Sequence, residues 1–105
     1  MAIDRSTFLA AAARRYVTVD VPEMGEVRLQ SLTHAERVAA NQRAATSPHD
    51  VAVWFVIAAV VDDHGNTIFS EADAAMIAGF DVRVMGAIDR AMAVHVFGAP
   101  AEKKS

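Results

Sequence analysis

The chain has no cysteine, so neither a disulfide nor a thiolate metal site is available to it. Its 105 residues must instead be held by burial, and a chain of this length removes roughly two-thirds of its unfolded surface from water, enough for a modest core. Aromatic residues are scarce, seven against 22 alanines, so the interior has to be filled by small side chains that favour short, closely packed helices. Positive charge is not in excess. The formal net charge is −3 with no block of lysine or arginine, which removes the sequence-independent phosphate attraction that nucleic-acid binding relies on. The longest uncharged apolar run, residues 51–61, spans eleven positions, well short of the ~20 that a membrane-spanning helix needs. The first residues place Asp4 and Arg5 ahead of alanines, without the apolar stretch of a secretory leader. A cytoplasmic, non-membrane protein is expected.

What is present is a sequence that changes period along its length. Asp4, Ser6 and Thr7 offer caps for a helix reaching Ala13, with Phe8, Leu9, Ala12 and Ala13 on one face. Val17, Val19 and Val21 then alternate with more polar residues, Pro22 to Gly25 supply turn chemistry, and Val27 and Leu29 alternate with Arg28 and Gln30. This predicts a β-hairpin at about 16–31 with both edges free, whose valine face must lie against helices to be stable. Thr33-His34-Ala35-Glu36 has capping-box spacing. The helix it starts should turn Ala35, Val38, Ala39 and Ala45 inward and Glu36, Arg37, Asn41 and Arg43 outward. Ser47-Pro48 stops it, and Asp50 caps the next helix, 51–61, which is apolar all round and forms the centre of the fold. Fully burying Val53, Trp54, Phe55, Val56 and Ile57 would contribute about 1.5–3 kcal/mol each.

Asp62, Asp63, His64, Gly65 and Asn66 must reverse the chain, because Gly65 and Asn66 tolerate positive φ. Residues 67–69 are too few for more than a β-bridge. A helix opens at Ser70 to Asp73 and ends near Gly79. Asp81 caps the last helix, where Val82, Met85, Ile88, Met92 and Val96 share a face while Arg83, Asp89 and Arg90 meet water. Gly86 within it points to a close helix crossing. The expected fold is mainly α: about five short helices with one N-terminal β-hairpin packed on the helical core, a helix-dominated α+β domain over 1–98. Residues 99–105 form a flexible polar tail.

No constellation argues for an enzyme. Asp62, His64, Asn66 and Asp73 approach the spacing of a calcium loop but put Thr67 where the sharp turn needs glycine. The four histidines show no pair at metal-ligand spacing. The five glycines are too scattered to cradle a phosphate, and no serine sits in a glycine elbow. No catalytic, metal or cofactor residue is assigned, and no cofactor is expected. Met76, Met85 and Met92 suit either an irregular core or an adaptable binding face, and free hairpin edges favour partner binding or self-association. Residues 1–47 hold six basic and five acidic groups, residues 48–105 four and eight, so the C-terminal part attracts basic partners.

The order of elements, and above all Val60-Val61-Asp62-Asp63-His64-Gly65-Asn66 followed by Phe69 and Ser70-x-x-Asp73, resembles the tail assembly chaperones of long-tailed bacteriophages, over about residues 3 to 98. The family often carries a leucine-asparagine pair near the end of its last helix, where this chain has His95-Val96-Phe97-Gly98. The resemblance implies a non-enzymatic helper in the cytoplasm of the bacterial host. It would transiently bind the tape measure protein and tail tube subunits, possess no nucleic-acid or membrane partner, and be absent from the finished particle. A long apolar helical client would aggregate without such cover. The binding surface is expected on the last helix at Met85, Met92, Val96 and Phe97, with Asp62, Asp63, Gly65 and Asn66 as a structural turn. Family members are often also made in a longer form by translational frameshifting, and the only lysines, Lys103 and Lys104, mark the position where adjacent lysine codons would let a ribosome slip. The readings from other classes are a structural head-tail connector of the virion and a small bacterial regulator. The latter lacks a basic recognition helix.

Overall fold

A computed structural model describes residues 2–22 and 24–98. The expected tail and its Lys103 and Lys104 lie outside the described residues, as does Glu23. Helix α1 (Arg5–Ala11) leads into the antiparallel strands β1 (Tyr16–Val21) and β2 (Gly25–Gln30). Helices α2 (His34–Ala45) and α3 (Val51–Ala59) follow, then a short strand β3 (Val60–Val61), a 3-10 turn (Glu71–Asp73), α4 (Ala74–Ala78) and α5 (Val82–His95). The helix-dominated α+β expectation is met, with one addition that changes the sheet.

That addition is β3. The apolar run 51–61 is not helical throughout: α3 stops at Ala59, and the last two valines pair with β2 as Arg28↔Val61 and Leu29↔Val60. Consecutive β-branched residues fit an extended backbone better than a helix end, and pairing satisfies the exposed edge of β2. The strand order is β1-β2-β3, so the expected hairpin with two free edges is corrected to a sheet in which β2 is central. Thr67 bridges Val61, the single bridge that 67–69 was expected to provide.

The caps appear where the side chains predicted them. Asp4, Asp50 and Asp81 accept from the backbone N–H groups of Thr7, Ala52 and Arg83 at 2.8, 3.1 and 2.8 Å. In the box that starts α2, Glu36 N donates to Thr33 Oγ1 at 3.1 Å and Thr33 N donates to Glu36 Oε1 at 2.9 Å. The core gathers Val21 and Leu29 from the sheet, Val53, Val56 and Ala59 from α3, Ile77 from α4, and Ile88 and Met92 from α5. Val17, Val19 and Val27 pack against it, so the hairpin's valine face lies on the helices as expected.

Three inward assignments change. In α2 the buried residue is Ala40, while Val38 is exposed and Ala35, Ala39 and Ala45 face solvent. Glu36 lies on the same side as Ala40, which is one turn further along that line, and Arg14 Nη2 donates to Glu36 Oε2 at 2.8 Å. In α3 only the Val53, Val56, Ala59 line is fully buried; Trp54, Phe55 and Ile57 are half-buried. Helix α1 buries none of its residues, leaving Phe8 and Leu9 exposed, although Arg14 and Arg15 tie its end to the body through Ser31.

Gln30, expected on the polar side of β2, is buried, and its Nε2 donates to Ala58 O at 2.8 Å. It thereby satisfies a carbonyl at the end of α3 that the switch from helix to strand leaves without a helical partner.

Candidate partner-binding surface

Helix α5 distributes the four residues expected to bind a partner over three environments. Met92 is 2% exposed and belongs to the core, so it is withdrawn from the surface. It lies on the same stripe as buried Ile88, where burial is complete. Met85 is half-buried and lines a groove of about 520 Å³ between the start of α3, the end of α4 and the first half of α5. Val96 and Phe97 lie at the opposite end of α5.

There, Phe97 packs edge-on to Phe55, with ring centroids 4.7 Å apart at 61°, and the Arg37 guanidinium stands 6.0 Å from its centroid. Two adjoining hollows, of about 230 and 380 Å³, are lined by Leu32, Thr33 and Val96 in one and by Asn41 and Phe55 in the other, with Arg37 and Phe97 in both. Phe97 keeps 38% of its surface in contact with water. This end therefore presents an aromatic edge with a cation beside it. Sequence reasoning missed Phe55, which it assigned to the core, and Arg37, which it placed on the solvated side of α2. The signal available was the i, i+4 spacing of Arg37 and Asn41 on that helix.

The turn after β3 is closed by its own hydrogen bonds. Asp62 Oδ1 accepts from His64 N at 2.8 Å and Asn66 N at 3.0 Å, and Asp62 N donates to Asn66 O at 2.8 Å. Gly65 has φ +83°, a conformation that favours glycine, and a Cβ there would rest in contact with the Tyr16 ring at 3.4 Å. Arg28 anchors the turn by donating to Asp63 O at 3.1 Å while lying 4.9 Å from the centre of the Tyr16 ring. Among the described residues no three or more His, Asp or Glu side chains are grouped to hold a metal ion, and no helix is long and apolar enough to cross a membrane.

Asp62 and Glu36 are held below their ordinary values by the hydrogen bonds they accept. The backbone N–H of Asn66, followed by that of His64, holds Asp62 below its ordinary value. Burial pushes Glu36 up, but hydrogen bonds from Arg14 and Thr33 outweigh it and leave that carboxyl below its ordinary value of 4.5. A carboxyl depressed by folding contributes stability that is complete above its unfolded pKa and is lost as pH falls through its folded one. The melting temperature is therefore expected to fall as pH drops from about 5 to 3. Glu36→Gln, which keeps the capping geometry but not the charge, should flatten the fall. Thermal melts across that range check both.

No protein-family model matches the chain, and no curated protein matches it in sequence. Among solved structures, it is similar to that of the bacteriophage HK97 tail assembly chaperone, with a TM-score of 0.50 and 19% identity over 82% of this chain and 97% of that one. The sheet followed by packed helices described above is thus the fold of a phage tail assembly chaperone.

Proposed function

We propose that the chain is a tail assembly chaperone: a non-enzymatic helper that binds the tape measure protein and tail tube subunits for a time in the host cytoplasm and leaves before the tail is complete. The observation that supports it is the fold shared with the HK97 chaperone along 97% of that chain. The partner-facing residues of α5 in this reading are Met85, Val96 and Phe97, with Met92 holding the helix in place from within. Reversible cover of a long apolar helix calls for several moderate contacts and no catalytic pocket. Lys103 and Lys104 remain the proposed frameshift position, which a slippery heptamer in the coding DNA would support.

The test is co-expression with the tape measure and tail tube proteins, followed by analysis of purified particles. Soluble tape measure protein only when this chain is present, and no copy of the chain in mature particles, is the expected result. A stoichiometric copy in the particle would make it a connector instead.

A further inference from the structure

The groove that Met85 lines combines open apolar surface with acidic side chains. Its accessible apolar surface comes from Phe80, Val82 and Met85, with buried Val53 and Ile77 forming the floor behind them, and Asp50 and Asp89 also line it. Val82 stands at the lip with 82% of its surface exposed, unusual for a β-branched residue in the first turn of a helix that otherwise packs on the core. Gly86 also lines the groove. Glycine inside a helix costs stability relative to alanine, and the close helix crossing that its presence suggested does not occur. A Cβ at Gly86 would meet only the Arg90 side chain, at 3.5 Å. The residue keeps the groove wall flat and its backbone approachable without serving any internal contact.

Asp89 adds the sign of the charge. Burial, and then the nearby Asp50 carboxylate, push its carboxyl above the ordinary value, and Arg90 offsets this only in part. Two carboxylates, Asp50 and Asp89, therefore line one groove and place like charge beside it. A cation entering between them would relieve that repulsion.

We propose that this groove seats an amphipathic helix of the client, which enters with its apolar stripe against Val82 and Met85, passes close over Gly86, and carries lysine or arginine beside Asp50 and Asp89. The site rests on the chaperone reading for the identity of the client but not for its own geometry. A flat glycine lets two helix axes approach closely, the flexible thioether of Met85 adapts to whichever side chain arrives, and the carboxylates select a basic flank over an acidic one.

Two synthetic 20-residue helices with the same leucine stripe, one flanked by lysine and the other by glutamate, test it by titration into the full-length protein. The lysine helix is expected to bind at least tenfold tighter than the glutamate helix at low salt, with the ratio shrinking as salt is raised. Gly86→Leu should abolish binding of both, and Asp89→Lys should invert the preference. Gly86→Ala guards against loss of the fold: it should melt at the same temperature or higher, yet bind the lysine helix more weakly. Failure of the wild-type protein to bind either helix, equal binding of the two, or unchanged binding by Gly86→Leu and Gly86→Ala would each overturn the proposal. So would a wild-type dimer that Gly86→Leu dissociates, because a second copy would then be the occupant. If Gly86→Leu still keeps the tape measure protein soluble on co-expression, the groove falls and the chaperone reading stands. If the wild-type chain solubilises no tail protein while the peptide results hold, the reverse is true.

Discussion

Leu29→Ala is expected to lower the unfolding free energy by about 2–5 kcal/mol, a large part of the ~5–15 kcal/mol that holds a domain of this size. Leu29 is 1% exposed. It sits on the central strand between Val17 of β1 and Val60 of β3, and its side chain joins the cluster that includes Val56 and Ile77. Truncation removes the transfer energy of the missing carbons and leaves a cavity that three strands and two helices cannot close together. The melting temperature should fall by roughly 10–30 °C, given the entropy of unfolding of a domain near 100 residues. A chemical-denaturation midpoint that moves by less than a tenth of its value would mean that β2 is not the centre of this core.

The second large effect concerns binding. On the chaperone reading, Phe97→Asp should weaken the complex with the tape measure protein at least tenfold, because partly exposed aromatic side chains are the commonest anchors of interfaces and an anchor is worth about 2 kcal/mol or more. The ring is held edge-on by Phe55, so losing that pair also costs about 0.5–1.5 kcal/mol of fold stability. Phe97→Leu separates the two effects. It loses the same aromatic pair but keeps apolar area, and it should bind within about threefold of the wild-type protein. Pull-down of the tape measure protein at matched fractions of folded protein gives the answer. Equal binding by the Asp variant would remove this end of α5 from the interface.

Much of this architecture could be read from local chemistry. The caps at Asp4, Asp50 and Asp81, the reciprocal box of Thr33 and Glu36, and the Asp62–Asn66 turn are each decided by side-chain oxygens within four residues of the N–H groups they satisfy, so no distant contact is needed to predict them. The hairpin was visible because its valines alternate against a polar face. The end of α3 was not visible, since the run 51–61 carries no breaker and periodicity cannot divide an unbroken apolar segment between helix and strand. Nor was the inward face of α2: where alanine occupies many positions, the apolar stripe is too broad to orient the helix, and contacts with distant segments, such as the ion pair between Arg14 and Glu36, are not visible in local pattern.

The candidate site shows the same division. Met85, Met92 and Val96 follow one helical repeat in the sequence, with Phe97 next to it, yet one is core, one lines a groove, and Val96 and Phe97 lie beside Arg37, Phe97 also against Phe55.

The helix-dominated α+β class, the caps and turns, the lack of a thiol-based site and the family resemblance were all legible in the residues, because these depend on composition and on neighbours a few bonds apart. Long-range packing set the rest: Val60 and Val61 complete a sheet, Gln30 is buried against the end of α3, and Gly86 faces an open groove instead of a helix crossing. Each of those outcomes depends on which surface a distant segment covers. Burial energy is non-directional, so the pattern of apolar residues along a chain does not specify which of several apolar faces will meet.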